Sequence, residues 1–291
     1  MTDLAGRTFL VTGASAGIGL ATAAELARRG GRVLAACRPG AKAEQARAAI
    51  AAGAAGGAGG DLVRLVPLDL ADLASVRQCA AEVVALGEPL HVLVNNAGVG
   101  GARGVTADGF ERHFGINHLG HFALTTALLP LLTAAGGGAR IVNVASDAHY
   151  EAKGIDFDAL RSPTRSITGM REYAVSKLCN VLFTQELARR LDAATVSAYS
   201  LHPGVVASQI WRRVPWPARQ VMTRRMLTVE QGARTSLYCA TSPDLAGRSG
   251  GYYEKCAEAT PSAVATPALA ARLWEYSERW TSPAAEPGAA A

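Results

Sequence analysis

The sequence predicts an α/β fold, a single domain built on a doubly wound parallel sheet of about seven strands with helices on both faces. Three observations carry this expectation. Short apolar runs alternate with helical patterns along the whole chain, the order that a parallel sheet with crossover helices requires. The first unit reads as strand, glycine turn, helix: Thr8-Phe9-Leu10-Val11 runs into Thr12-Gly13-Ala14-Ser15-Ala16-Gly17-Ile18-Gly19, and an Ala-rich stretch from Leu20 to Arg29 follows. With 291 residues, 49% hydrophobic and only 18% charged, the chain can bury a large core and offers no obvious start for a second domain.

Strands are expected near 7–12, 32–37, 62–67, 91–95, 139–145, 195–201 and 250–254, with helical patterns between them, the longest from about 107 to 133. Gly53 to Gly60 reads as a flexible loop. The domain is expected to span residues 1–281, and the Ala- and Pro-rich 282–291 to be a disordered tail. No internal repeat is present. No run of about 18 apolar residues appears, and the glycine turn starts at residue 12, so a soluble cytoplasmic protein is expected. The five cysteines, Cys37, Cys79, Cys179, Cys239 and Cys256, are scattered without CxxC spacing, which argues for packing rather than disulfides or a metal site.

Chemistry is signalled first by Tyr173 and Lys177. Four residues is just over one helical turn, so both side chains leave a helix on one face and can serve one reacting centre. A tyrosine hydroxyl titrates near pH 10 in water, and a neighbouring ammonium favours the phenolate. Ser146 ends an apolar run that reads as a strand. The glycine turn lets backbone approach a pyrophosphate, and the following helix offers free N–H groups and the positive end of its dipole.

Taken in order, these motifs identify a resemblance to the short-chain dehydrogenase/reductase family, of the single-domain, Rossmann-fold kind. The TGxxxGxG turn is Thr12 to Gly19, NNAG is Asn95-Asn96-Ala97-Gly98, the serine is Ser146 and YxxxK is Tyr173 to Lys177. Ile116-Asn117-His118-Leu119-Gly120-His121-Phe122 supplies the helix asparagine, and Leu201-His202-Pro203-Gly204-Val205-Val206 the PG motif. The wording NHLGHF and LHPGVV is most similar to the branch of retinol dehydrogenases and related carbonyl reductases. The resemblance implies a catalytic set of Asn117, Ser146, Tyr173 and Lys177. Ser146 would bond the carbonyl oxygen, Tyr173 would move the proton, Lys177 would tune it and hold the nicotinamide ribose, and Asn117 would hold a water beside the lysine. It further implies a cofactor bound along Gly13, Ser15, Gly17, Ile18, Gly19, Asp69, Leu70, Asn95, Ala97, Gly98, Tyr173, Lys177, Pro203, Gly204 and Val206, and a homo-oligomer, dimer or tetramer.

The second expected strand ends in Cys37-Arg38, where NAD enzymes place a carboxylate on the adenosine ribose; Arg38 suits a 2′-phosphate instead. NADP(H) is therefore expected, with NAD(H) the alternative. His149 and Tyr150, just beyond Ser146, are candidate substrate contacts, as are Trp211 and Trp216 in a basic segment, 207–228, expected to form a lid. No metal is expected, since the histidines lack ligand spacing with any carboxylate or cysteine. Nucleic acid is not an expected partner; the arginines of the basic segment read first as a solvated helix, with attraction for an anionic substrate or carrier, or contact with a membrane, as the alternatives. The expected function is an NADP(H)-dependent oxidoreductase acting on a bulky, apolar ketone, aldehyde or secondary alcohol; the alternative is a non-redox or regulatory descendant that keeps the cofactor fold.

Overall fold

Eight strands form one sheet in the order β3-β2-β1-β4-β5-β6-β7-β8 in the computed structural model, which describes residues 3–55, 59–206 and 226–282. The strands are β1 (Thr8–Thr12), β2 (Arg32–Cys37), β3 (Val63–Pro67), β4 (Val92–Asn95), β5 (Ala139–Val144), β6 (Val196–His202), β7 (Tyr252–Glu254) and β8 (Ala257–Ala259). All neighbours through β7 are parallel, and β7 and β8 form an antiparallel hairpin. The chain winds outward from β1 to β3, then returns to place β4 on the other side of β1. That reversal opens a crevice beyond the carboxyl ends of β1 and β4, at Thr12 and Asn95.

Strand alternation sorts the core into two faces. Leu10, Leu34, Leu93, Ile141 and Ala198 point to one side, Phe9, Val11, Val33, Val94 and Tyr199 to the other. The first face is covered by α3 (Leu73–Ala85), α4 (Gly120–Ala134) and α5 (Met170–Arg190). The second is covered by α1 (Gly17–Arg28), α2 (Ala41–Ala52) and α6 (Val229–Thr241). The last helix, α7 (Pro267–Thr281), packs outside α5, with Leu273 buried beside Leu178 and Trp274 against Phe122. Truncating a side chain such as Leu10, fully buried, costs about 2–5 kcal/mol by loss of transfer energy and cavity formation.

Three details depart from the sequence expectation. The eighth strand is too short to show a pattern, and its turn is made by Lys255 and Cys256 at positive φ (50° and 62°) rather than by glycine or asparagine. Residues 107–111 are not helical, because Gly109 at φ 77° turns the chain. The helix begins at Arg112, capped by the Glu111 carboxylate on the Phe114 N–H. It enters α4 through a π-helical turn, Gly115–Leu119, so that α5 with 21 residues is the longest α-helix described. Gly59–Leu62 is a helical turn inside the expected loop. No helix among the described residues is long and apolar enough to cross a membrane.

Candidate active site

The glycine turn is shaped by close approach. A Cβ on Gly13 (φ 69°) would lie 2.9 Å from Cα of Ala97, and one on Gly19 would lie 2.3 Å from the Asn96 amide nitrogen. Both contacts pull the turn against the end of β4. Gly17 (φ 56°) faces open space, where a Cβ would meet nothing within 4 Å. Helix α1 starts here with Ala16 as its N-cap, no side-chain cap and no acidic residue in its first turn. Helices α3, α6 and α7 are capped by Asp72, Thr228 and Thr266, whereas α2 and α5 also lack a side-chain cap but carry Glu44 and Glu172 in their first turns. An uncapped N-terminus beside open glycine is chemically suited to a pyrophosphate. Ile18 packs with Val206 against Gly232, and Gly204 (φ 86°) brings the chain after Pro203 onto Leu227.

Other predicted cofactor residues sit around the same crevice, with one correction. Arg38 is exposed at the end of β2, and Ser15 bonds the neighbouring Cys37 thiol. Asp69 spends one oxygen on the Ala71 N–H, and the Leu70 carbonyl borders the start of α4, where a Cβ on Gly120 would meet it at 2.8 Å. Gly98 lies close to Asn117 and Lys177. Asn95, expected to touch the cofactor, does not face the crevice. It is 2% exposed, and its amide donates to Asn143 Oδ1 (2.8 Å) and Thr125 Oγ1 (2.9 Å), tying β4 to β5 and α4.

Tyr173, Lys177, Ser146 and Asn117 converge at the carboxyl end of β5. Helix α5 presents Tyr173 and Lys177 on one face as their spacing predicts, with the ammonium 5.6 Å from the phenol ring centroid. Lys177 is 4% exposed and donates to the Val144 carbonyl at 2.8 Å; burial pulls its pKa down to about 8. Tyr173 does not behave as the neighbouring charge alone suggests. Burial pushes its pKa up, opposed by a hydrogen bond with Ser146, because the phenolate loses hydration in a site where Lys177 is engaged with Val144. Asn117 lies within the π turn and is fully buried. Its side chain clasps the Val99 backbone through both N–H and carbonyl (2.8 and 3.0 Å) and donates to Ser176 Oγ (2.9 Å), which in turn bonds the Tyr173 carbonyl. The asparagine thus fixes the catalytic helix against the loop after β4.

His149 is a second correction. It is fully buried, with Nδ1 donating to the Ser146 carbonyl (2.6 Å) and Nε2 accepting from the Ser262 N–H (3.1 Å), so it holds the loop and lines no open space. Tyr150 is 44% exposed, its hydroxyl donating to the Thr260 carbonyl. Trp211 and Trp216, with most of the expected lid, lie outside the described residues.

Two further residues join the site without having been singled out. Asp147 accepts the Ser146 hydroxyl proton at 2.9 Å, and His202 sits against Asp147. Their only sequence signal was adjacency to Ser146 and to Pro203. His121, not among the candidate site residues, links Thr12 of the glycine turn to Asn117: the Thr12 hydroxyl lies 2.9 Å from its Nε2, and its Nδ1 donates to the Asn117 carbonyl at 3.0 Å.

Comparison with known proteins agrees with this geometry. A family model described as short chain dehydrogenase matches residues 7–157. Retinol dehydrogenase 12 of Mus musculus is 42% identical over 282 residues, covering 94% of this chain and 86% of that protein. Retinol dehydrogenase 14 of Homo sapiens is 42% identical over 291 residues, covering 94% and 85%. A solved structure of an uncharacterized protein from Mycobacterium paratuberculosis superposes with a TM-score of 0.75 at 35% identity, covering 96% of this chain and 94% of that one. An uncapped nucleotide turn, a buried tyrosine and lysine on one helical face, and these relatives lead to one conclusion: the chain belongs to the short-chain dehydrogenase/reductase family and is an NAD(P)-dependent oxidoreductase.

Proposed function

We propose that this enzyme uses NADP(H) to interconvert a bulky, apolar aldehyde or ketone and its alcohol, with a retinoid-like compound as the model substrate. The observation that carries the reading is the buried Tyr173, bonded to Ser146 and sharing a helical face with Lys177 beside the glycine crevice. A bound nicotinamide supplies or accepts the hydride. In the reducing direction the Tyr173 hydroxyl gives its proton to the substrate oxygen as the carbonyl carbon gains the hydride, so the product is a neutral alcohol. Burial keeps that hydroxyl protonated until the oxygen needs it. Ser146 steadies the same oxygen, and the Lys177 ammonium offsets the charge left on Tyr173. Proton return from solvent then resets the tyrosine.

NADP(H) is supported by Arg38 standing where a ribose-binding carboxylate would exclude the 2′-phosphate. Apolar substrate is supported by the segments leaving the site: Tyr150, Ile167, Met170, Val205 and Leu227 expose between 37% and 88% of their surface. The relatives named retinol dehydrogenase point the same way. The test is oxidation of NADPH followed by absorbance with retinal, alkyl aldehydes and bulky ketones. Turnover with none of them, in either direction, overturns the reading.

A further inference from the structure

Among the described residues Asp147 is the one carboxylate seen to bond the predicted substrate-binding serine, and nothing in the reaction above uses it. It opens the short 3-10 helix Asp147–Glu151, and its Oδ1 accepts the Ser146 hydroxyl at 2.9 Å while the Ala148 N–H donates to Ser146 Oγ at 3.2 Å. Its position is set from the other side by His202. The Asp147 N–H donates to His202 Nδ1 (3.1 Å), which leaves the imidazole proton on Nε2, 3.6 Å from Asp147 Oδ2. The Ser146 hydroxyl thus bonds this carboxylate directly and His202 faces it from the other side, at the edge of the reacting centre. Its side chain is 54% exposed. The charge is felt at the proton donor, since Asp147 is among the groups that hold the Tyr173 hydroxyl protonated.

We propose that Asp147 is a specificity-determining residue that disfavours substrates carrying a negative charge near the reacting carbonyl and so restricts the site to neutral carbonyl compounds. This rests on the oxidoreductase reading and deepens it. A fixed anion beside Ser146 repels a second anion wherever Ser146 must bond the substrate oxygen. Across a partly solvated gap of several ångströms, one such repulsion is worth about three- to tenfold in kcat/KM.

The experiment compares methyl 3-formylbenzoate with 3-formylbenzoate, a neutral and an anionic aldehyde of nearly the same shape, under NADPH. Wild type is expected to favour the ester. Asp147→Asn, which keeps an acceptor for Ser146 but removes the charge, is expected to lower the ester-to-acid ratio of kcat/KM about three- to tenfold. The exposed carboxylate of Glu275, on α7 outside α5, gives the control: Glu275→Gln leaves the ratio unchanged. Raising ionic strength should narrow the wild-type ratio without changing the ester rate, a measurement that needs no variant. An active Asp147→Asn enzyme with the wild-type ratio, or an equal shift in Glu275→Gln, overturns the proposal alone. A wild type that reduces neither these aldehydes nor any other carbonyl compound overturns the oxidoreductase reading, and the proposal with it.

Discussion

The Thr12 hydroxyl lies 2.9 Å from Nε2 of His121, joining residues 109 positions apart and both buried. Because His121 Nδ1 is committed to the Asn117 carbonyl, Nε2 is the acceptor and Thr12 the donor. The same Thr12 oxygen accepts the Asn96 and Ala97 N–H groups at 2.9 and 3.0 Å. One hydroxyl thus couples the nucleotide turn, the end of β4 and the helix that carries Asn117.

Thr12→Val keeps the shape and removes that hydroxyl, leaving the Ala97 amide and one imidazole nitrogen without partners, while the Asn96 N–H keeps the Val94 carbonyl. Each buried loss costs about 1–3 kcal/mol, so unfolding free energy should fall by roughly 2–6 kcal/mol and NADPH affinity should weaken with it. Denaturant unfolding and nucleotide titration measure both. Thr12→Ser should restore most of each.

His118 and His121 are fully buried and held neutral, their pKa values pulled from 6.5 to about 3 and about 4 by desolvation. The unfolded chain takes up these protons below pH 6.5 while the folded protein refuses them until about pH 4 or lower. Their contribution is therefore complete above pH 6.5 and lost as pH falls through the window to about 4, at on the order of 1 kcal/mol per pH unit for each group. Melting temperature should drop between pH 6.5 and 5, and His118→Gln should flatten that slope. A slope identical to wild type would show that other groups cause it.

Tyr173→Phe removes only the hydroxyl. Turnover should fall about 10²–10⁴-fold with NADPH dissociation unchanged, read by steady-state kinetics beside fluorescence titration. Activity within tenfold of wild type would reject Tyr173 as the acid.

Lys177, with its pKa lowered to about 8, carries its charge below that pH and loses it above. The profile of kcat/KM, which reports the free enzyme, should fall as pH rises through about 8. Tyr173 is not the source of that limb, because burial moves its ionisation upward. Lys177→Met should show both a lower plateau and no limb near pH 8.

Arg38→Ala should raise KM for NADPH about tenfold or more over its effect on NADH, since only the phosphorylated nucleotide offers a partner for the guanidinium. Equal effects on the two would make Arg38 a solvated surface residue.

What the sequence determined by itself was whatever depends on local spacing. Alternating apolar runs fixed the strands from β1 to β7, and the four-residue interval put Tyr173 and Lys177 on one face of α5. Glycine positions located the crevice because a Cβ on Gly13 would come within 2.9 Å of Cα of Ala97, an approach only glycine allows. Tertiary structure decided the roles of side chains whose partners are distant. The side chains of Asn95 and His149 are in the right segments yet turn into the core, where the Asn95 amide N–H donates to Asn143 and His149 accepts from Ser262. The charge state of the acid was likewise invisible in spacing: a neighbouring lysine argues for a lowered tyrosine, and only burial, with Lys177 drawn to Val144, reverses the sign. Asp147 and His121 gained significance only when folding brought one against His202 and the other against Thr12. Local pattern sets which face a residue occupies, whereas solvation and hydrogen-bond partners, which set its chemistry, come from elements far away in the chain.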